Sequence, residues 1–237
     1  MSDRLSTGVK ELDEILNGGI PRGHCVLLAG SCGTGKTILC QQFLFAGADA
    51  GEGGTYLALT EPRDKVVRNI QNFKFFKQEH IDNNKVKVVD LVQDTRLRGI
   101  GLNNVEGLIA IIEEILKSNN SKRLVIDSIT ALCENLLEGE KIRNFIFELA
   151  FRLMYLNVTT ILISEIPPQT FKYSIFGIEE FVADGVIRLS EFERKGDLIR
   201  SLQVIKMRGM AHSRNKHVMK ILDEGTVLVP MFKADME

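Results

Sequence analysis

Several features that would indicate a metal centre, a membrane or a highly charged partner are lacking in this 237-residue sequence. Its four cysteines include no Cys-x-x-Cys pair and show no metal-ligand spacing with the four histidines. Reduced thiols in an intracellular protein are therefore expected. No apolar run approaches the roughly 20 residues of a membrane span. The polar residues 1–7 lack a signal-peptide core, so the expectation is a cytoplasmic protein without a membrane partner.

Strong charge and internal repetition are lacking as well. The formal net charge of −1 gives the chain no global attraction to nucleic acid or acidic lipid, so such binding needs a local patch. Hydrophobic residues make up 44% and charged residues 26%, a balance that is typical of globular proteins. Because no repeat, low-complexity segment or linker interrupts the chain, we predict that residues 1–237 form one domain.

Buried-strand patterns alternate with helical patterns over the first two thirds of the chain. Continuous apolar runs at residues 25–29, 55–59 and 124–126 predict strands that are covered on both faces. Helices are expected between the strands, including one over residues 63–76 and one from Val9 after a cap at Ser6 or Thr7. The alternation predicts an α/β fold with a mostly parallel central sheet flanked by helices. Four strand patterns after residue 184 predict an antiparallel C-terminal extension.

A glycine-rich loop follows the first buried strand and precedes a helix. Gly33 and Gly35 allow backbone conformations that turn N–H groups toward phosphates, and the helix start adds its positive end. Lys36 supplies a mobile charge for the β- and γ-phosphates, and Thr37 supplies a hydroxyl for Mg²⁺. The alternative, a glycine-rich turn that happens to contain a lysine, does not explain the full match. The pattern GxxxxGK[ST] is fitted by Gly30, Ser31, Cys32, Gly33, Thr34, Gly35, Lys36 and Thr37, which predicts ATP binding.

A carboxylate ends the apolar run at residues 124–126. Ligands of nucleotide-binding α/β folds lie at the carboxyl ends of the strands, so Asp127 is predicted to hold Mg²⁺, directly or through water. The alternative is a helix cap, since Asp127 and Ser128 both suit a helix start. Ser128 alone would suffice for that cap.

A second carboxylate, Glu61, follows the strand pattern at residues 55–60. At that edge of a sheet a carboxylate can polarise the water that attacks the γ-phosphate, which predicts a general base. The alternative is an acidic residue at the start of the next helix, stabilised by the helix dipole. The residues alone do not separate these two interpretations.

The order of the motifs resembles that of the RecA/RadA/KaiC ATPases, most closely the KaiC-like branch and the archaeal RadA paralogues near it. The match covers about residues 5–230. It is carried by residues 5–13 and 18–23, the glycine-rich loop, Thr60-Glu61-Pro62, residues 124–128, 159–165 and 177–184, and Lys206-Met207-Arg208-Gly209. The resemblance implies a RecA-type P-loop core, Mg²⁺ and ATP as ligands, and a homo-oligomeric ring, often a hexamer, with nucleotide between subunits.

The resemblance also assigns roles to two basic residues near the end of the chain. Lys206 and Arg208 match the residues that reach the γ-phosphate bound by a neighbouring subunit; a solvated basic strand edge is the alternative. The KaiC Glu-Glu doublet is replaced by Thr60-Glu61, which makes the base assignment less secure and predicts slow turnover. Glu180 and Phe181 stand at the paired autophosphorylation sites of KaiC, which excludes autokinase activity through those sites.

Two functions remain open from the sequence. The first is a ring-forming, slow ATPase whose nucleotide state regulates an unidentified protein partner. The second is a recombinase-related modulator of DNA repair that binds single-stranded DNA through residues 166–176, where aromatic residues and a lysine could stack bases. Packing of those aromatic residues inside the ring, and scattered solvated charges, are the alternatives. The DNA hypothesis involves Phe171, Lys172, Tyr173 and Phe176, with Lys141, Arg143, Arg96 and Arg98 adding charge to a channel.

Overall fold

The computed structural model describes residues 3–91, 93–94, 104–134 and 139–231. Arg96 and Arg98 lie outside the described residues. The strands are β1 (Arg4–Leu5), β2 (Ile20–Pro21), β3 (Cys25–Gly30), β4 (Gly53–Ala58), β5 (Val86–Asp90), β6 (Ser121–Asp127), β7 (Thr159–Glu165), β8 (Gly185–Arg194), β9 (Asp197–Met207), β10 (His217–Leu222) and β11 (Gly225–Pro230). The helices are α1 (Lys10–Ile15), α2 (Lys36–Asp49), α3 (Arg63–Ile70), α4 (Gln78–Asp82), α5 (Val105–Ser118), α6 (Ile129–Glu134), α7 (Gly139–Tyr155) and α8 (Glu179–Val182).

A sheet of nine strands organises the described part of the chain, in the order β11-β10-β9-β8-β3-β7-β6-β4-β5. The pairs from β8 through β3, β7, β6 and β4 to β5 are parallel. Strands β9, β10 and β11 add antiparallel pairs at the other side. The predicted α/β fold with a mostly parallel sheet and an antiparallel C-terminal extension is therefore confirmed. No helix of the described residues is long and apolar enough to cross a bilayer.

Strand β3 lies inside the parallel region and is buried along its whole length. Val26 and Leu28 face one hydrophobic core, which includes residues of α1, α2 and α3. Cys25 and Leu27 face a second core, which includes residues of α5, α6 and α7. Because helices cover both faces of the sheet, the strand sequence is continuously apolar rather than alternating. Packing on both faces of the sheet fixes the position of the carboxyl end of β3 and of the loop that follows it.

The helix predicted over residues 63–76 is shorter than expected, because α3 ends at Ile70. The rings of Phe75 and Phe76 both contact Phe45, at centroid distances of 5.7 and 5.4 Å. Neighbouring residues of a helix point about 100° apart, so a continuous helix cannot turn both rings onto one partner. Burial of these rings in the first core outweighs the helical pattern of the sequence.

The predicted cap of α1 at Ser6 or Thr7 is wrong, because Val9 is the N-cap residue. The hydroxyls of Ser6 and Thr7 instead donate to the Asp13 carboxylate, at 2.6 and 2.7 Å. These bonds connect the chain before α1 to the middle of the helix. Their oxygens also accept from the N–H groups of Gly8 and Val9, so the two hydroxyls bond to the chain just before the helix rather than to its first turn.

A buried arginine connects the sheet to α2 and to the start of the chain. The side chain of Arg123, on β6, is 2% exposed and bonds to the Glu52 carboxylate at 2.8 and 2.9 Å. It also donates to the carbonyl oxygens of Ser6 and Phe43, both at 2.7 Å. Arg22 approaches the same carboxylate to 2.6 Å. An arginine remains charged when buried, so the folded state accommodates the Arg123 guanidinium only through this carboxylate and these acceptors.

Glu52→Gln is expected to lower the free energy of unfolding by about 3–5 kcal/mol at pH 7, because it leaves the Arg123 guanidinium buried without an anion. Burial raises the pKa of the Glu52 carboxyl, but the hydrogen bonds from Arg22 and Arg123 outweigh burial and lower it overall. The stabilisation is thus present above the unfolded pKa of about 4.3 and is lost as the pH falls through the folded pKa. The difference in free energy of unfolding between the parental protein and Glu52→Gln should therefore be smaller near pH 4 than at pH 7. Urea unfolding of both proteins at the two pH values measures this difference.

The control is Glu224→Gln, which removes an exposed ion pair with Lys74 and should leave the urea midpoint unchanged. Equal costs for the two substitutions would show that the buried pair is not a structural requirement.

Candidate functional site

The glycine-rich loop connects β3 to α2 at the carboxyl edge of the parallel strands. Gly33 and Gly35 have φ angles of 81° and 96°, in the left-handed region that favours glycine. Gly35 is also the N-cap residue of α2, and no side chain caps the first turn. The N–H groups of that turn therefore offer donors to an anion, with the positive end of the helix dipole behind them.

Lys36 closes over this loop from the first turn of α2. Its Nζ donates to the carbonyl oxygens of Gly30 and Ser31, at 2.9 and 2.8 Å. Burial lowers the pKa of the Lys36 ammonium, while the nearby carboxylates of Glu165 and Asp127 act in the opposite direction. A phosphate bound at the loop would add to that favourable charge and take over donors of the ammonium group.

The predicted metal residues meet directly. The Thr37 hydroxyl donates to Asp127 Oδ2 at 2.9 Å, and the Tyr56 hydroxyl from β4 donates to the same oxygen. Burial, and then the Asp127 charge, raises the pKa of Tyr56 well above its usual value, so the phenol remains a donor. The Ser128 hydroxyl accepts from the backbone N–H of Ala131, at 3.1 Å, near the start of α6. Ser128 is thus the cap, and Asp127 faces the loop.

This donor set fits Mg²⁺. Thr37 and Asp127 offer a hydroxyl and a carboxylate, the hard oxygen donors that Mg²⁺ prefers. Within the described ranges, no group of three or more His, Cys, Asp or Glu residues forms a complete metal cage. A Mg²⁺ ion needs only one or two protein ligands when substrate phosphates and water complete its coordination.

The predicted base, Glu61, lies between the end of β4 and the start of α3. Its carboxylate is 2.8 Å from Lys65 Nζ through one oxygen and accepts from Asn69 at 3.2 Å through the other. No side chain caps the N-terminus of α3, where Pro62 is the N-cap residue. Both contacts are to residues of α3, so the geometry is compatible with the helix-start interpretation of Glu61 as well as with the base, and its carboxylate lines the same cleft as the loop.

One cleft of about 460 Å³ joins these groups, within the size range of small-molecule sites. Lys36, Thr37, Glu61 and Asp127 all line it, together with residues that the sequence analysis did not select: Tyr56, Glu165 and Arg200. The Nε of Arg200 donates to the carbonyl of Gly33 at 2.8 Å and lies 3.8 Å from Glu191. Glu165 ends an apolar strand as Asp127 does, so the same rule applied to β7 would have found it. Tyr56 and Arg200 have no such local signal.

Lys206 and Arg208 are not part of this cleft. Val186 pairs with both Lys206 and Leu27, so β8 places Lys206 near the middle of β3. The backbone N–H of Arg208 bonds to Asp184, whose own N–H bonds to Cys25 at the amino end of β3. The five residue steps from Cys25 to Gly30 span roughly 17 Å in a β-strand. Arg208 therefore lies at the edge of the sheet opposite to the phosphate loop of its own chain.

The residues of the DNA hypothesis are divided between surface and core. Phe171 is 93% exposed, and Lys172 is exposed beside it. Tyr173 and Phe176 instead pack against the second hydrophobic core. Arg143 is exposed and lies over the ring of Phe147, at 5.5 Å from its centroid. Only part of residues 166–176 thus has its aromatic surface available to a ligand.

The fold and the cleft define a class of protein: a P-loop nucleotide-binding protein with a mostly parallel sheet. A family model described as "ATPase: KaiC" matches residues 5–232, and the chain belongs to this KaiC-like family. The chain is 37% identical over 240 residues to a UPF0273 protein of Methanopyrus kandleri, covering 96% of this chain and 92% of that protein. It is 30% identical over 238 residues to the circadian clock protein KaiC3 of Synechocystis, covering 99% of this chain but 47% of KaiC3.

A solved structure agrees with this assignment. The KaiC-like protein of Pyrococcus horikoshii OT3 is 36% identical, with a TM-score of 0.84, and the alignment covers 96% of this chain and 99% of that one. The resemblance predicted from the motifs is therefore confirmed, and membership of an ATPase family supports ATP binding at the cleft.

Lys36→Ala is expected to weaken ATP binding by about 10- to 100-fold or more, because charge-assisted hydrogen bonds to phosphate are worth about 1.5–3 kcal/mol. Fluorescence titration with an ATP analogue measures the loss, and circular dichroism checks the fold. The matched control is Lys117→Ala, which removes an exposed lysine of α5. Normal ATP affinity in a folded Lys36→Ala protein would mean that nucleotide does not bind at this loop.

Proposed function

We propose that this protein binds Mg²⁺ and ATP and hydrolyses ATP slowly at sites shared between copies of a homo-oligomeric ring, and that its nucleotide state regulates a protein partner. One observation carries the proposal. The binding residues and the base line one cleft, whereas Arg208 lies roughly 17 Å away at the opposite edge of the sheet and Lys206 lies beside the middle of β3, outside the cleft. The cleft of one chain is therefore completed only by a second copy.

Within one chain, each side chain has a defined task. The loop and Lys36 bind the phosphates, and Thr37 with Asp127 would hold Mg²⁺, which neutralises phosphate charge when bound. Tyr56 orients the Asp127 carboxylate through its hydrogen bond. Glu61 accepts a proton from the attacking water, or orients that water, at the wall of the same cleft.

Two features support slow turnover. A single carboxylate, Glu61, stands where KaiC has a Glu-Glu doublet. Both of its oxygens are in contact, one with Lys65 and the other with Asn69. These two contacts compete with water for the acceptor sites of the carboxylate and hold it toward α3, which reduces the fraction of complexes in which it faces the attacking water.

The basic residues support a role toward a neighbouring copy. Arg208 now bonds to the Asp184 carboxylate and the Phe181 carbonyl, and Lys206 bonds to the carbonyls of Glu180 and Ala183. Burial, and then the charge of Arg208, lowers the pKa of Lys206. An incoming γ-phosphate offers both cations a counter-ion that their own chain supplies only in part. The resemblance to KaiC favours a ring of six, built from one domain per chain, in the cytoplasm.

Arg208→Ala and Glu61→Gln are each expected to bind ATP and to hydrolyse it poorly. Loss of a γ-phosphate arginine costs about 10³–10⁵ in rate in related GTPases, and loss of a general base about 10²–10⁴. Mixing the two inactive proteins under conditions of subunit exchange should restore part of the activity. An Arg208→Ala copy keeps Glu61 and can receive Arg208 from a Glu61→Gln neighbour. Phosphate release measures the recovery.

Arg194→Ala, at the exposed end of β8, is the control for loss of an arginine and should retain full activity. A mixture that stays inactive after verified exchange contradicts the shared site. So does an Arg208→Ala protein with parental activity.

The second candidate function, binding of single-stranded DNA, is favoured by the exposure of Phe171 and Lys172. A DNA-binding protein should lose affinity steeply as salt increases, because phosphate contacts release counter-ions. Phe171→Ala should then weaken binding by about 1–3 kcal/mol at constant salt, the value of one base-stacking contact. Titration of labelled oligonucleotide with and without Mg²⁺ and ATP tests this. Absence of binding at low salt removes this alternative.

A further inference from the structure

Helix α7 is apolar on two faces, and the described residues of the chain cover only one of them. The inner face packs into the second core through Ile142, Phe145, Ile146, Leu149 and Leu153. An outer face, defined here as Phe147, Phe151, Met154 and Tyr155, lies in solvent with side chains that are 47%, 54%, 54% and 72% exposed. A surface helix normally has one apolar face, and a helix that is apolar on both sides is normally buried.

The outer face forms one patch. Its residues stand at the spacing i, i+4, i+7 and i+8, which aligns them along the helix. The rings of Phe151 and Tyr155 contact each other edge to face, at a centroid distance of 4.7 Å. Arg143 borders the patch with its guanidinium over the Phe147 ring, while Arg152 pairs with Glu148 and Glu113. A contiguous apolar patch with a charged border is typical of a protein–protein contact.

The position of the outer face connects it to Arg208. Tyr155 ends α7 four residues before β7 begins, at the edge of the sheet where β3 and β8 also begin. Helix α8 packs against α7 and carries Phe181, whose side chain is 70% exposed and whose carbonyl accepts from Arg208. Whatever molecule receives Arg208 is therefore brought against α8 and the adjoining end of α7.

A complementary surface lies at the opposite edge of the sheet. Leu222, at the end of β10, is 47% exposed, and Ile221 beside it lines the nucleotide cleft. A rim hollow of about 520 Å³ is formed there by Phe73, Ile221, Leu222, Asp223 and Glu224. Asp223 and Glu224 border the hollow, with Glu224 paired to Lys74, whereas Arg143 borders the outer face of α7.

We infer that the outer face of α7 packs against the rim hollow of the next copy, next to the cleft that receives Arg208. The inference rests on the proposed function, because the shared site is what brings these two surfaces together. Two different patches at opposite edges make a heterologous contact, and such a contact closes into a ring when the rotation between copies permits. Attraction between Asp223 at the hollow and Arg143 at the outer face would help to set the register of the contact.

The test compares three single-residue variants by sedimentation velocity with Mg²⁺ and ATP. Phe151→Glu changes the outer face, Leu222→Glu changes the hollow, and Leu198→Glu is the control, at a side chain of β9 that is 68% exposed. The first two should sediment as single chains, whereas the control should keep the parental mass. Binding of an ATP analogue and circular dichroism confirm that each single chain is folded.

Mixing the two defective variants gives the decisive measurement. The outer face of a Leu222→Glu chain is intact, and so is the hollow of a Phe151→Glu chain. The mixture should form a dimer that cannot grow, because its two remaining surfaces both carry a substitution. If either variant keeps the parental mass, or if two monomeric variants form no dimer, the inference is wrong. A Phe151→Glu assembly of half the parental mass also overturns it, because the outer face would then join two rings.

The same experiment separates the inference from the proposed function. If the parental protein sediments as a single chain with Mg²⁺ and ATP, the proposed ring does not form and the proposed function is wrong. A parental ring with shared-site activity that survives both substitutions removes only the contact between α7 and the rim hollow.

Discussion

Strand β3 is the constraint on which the rest of the molecule depends. It is buried on both faces and hydrogen-bonded on both sides, to β7 and β8, so it cannot bend or slide. Its carboxyl end carries the phosphate loop, and its amino end lies beside Asp184 and Arg208. Because the length of this strand is fixed, Lys206 and Arg208 stay away from the nucleotide cleft of their own chain. Under the proposed function, this separation leaves the site of one chain incomplete and favours assembly over independent catalysis.

Polar groups at the carboxyl edge are held by one another rather than by the core. Asp127 accepts from Thr37 and Tyr56, while Lys36 is fixed by the carbonyls of Gly30 and Ser31. A buried polar group without a partner costs about 1–3 kcal/mol, so such a network is stable only when its members are paired. The ligand then exchanges existing hydrogen bonds for stronger, charge-assisted ones. This arrangement makes the site ready for phosphate without leaving charges unpaired beforehand.

The parts of the fold and site that sequence predicts are those with a local cause. The phosphate loop and the strand at residues 25–29 are contiguous in the chain, and Asp127 follows from the rule that ligands lie where parallel strands end. Tyr56 and Arg200 lie in the same cleft, but their roles depend on which strands become neighbours, and periodicity does not encode that order. Helices α4, α6 and α8 have only five, six and four residues, too few for a periodic pattern. The segment after Ile70 has a helical pattern, but it leaves the helix because the rings of Phe75 and Phe76 pack against Phe45.

The same contacts that hold Arg208 at rest connect chemistry to assembly. Its guanidinium bonds to the Phe181 carbonyl on α8, and α8 packs against α7, the helix with the uncovered apolar face. In the proposed ring, an Arg208 that turned to a phosphate of the next copy would give up that carbonyl, and α8 would lose one of its attachments. Nucleotide binding would then change the surface that contacts the neighbouring copy. By thermodynamic linkage, a partner that alters the packing of that surface must change nucleotide affinity by the same factor. The proposed regulation would act through this coupling free energy, which nucleotide binding at the cleft and contact between copies share.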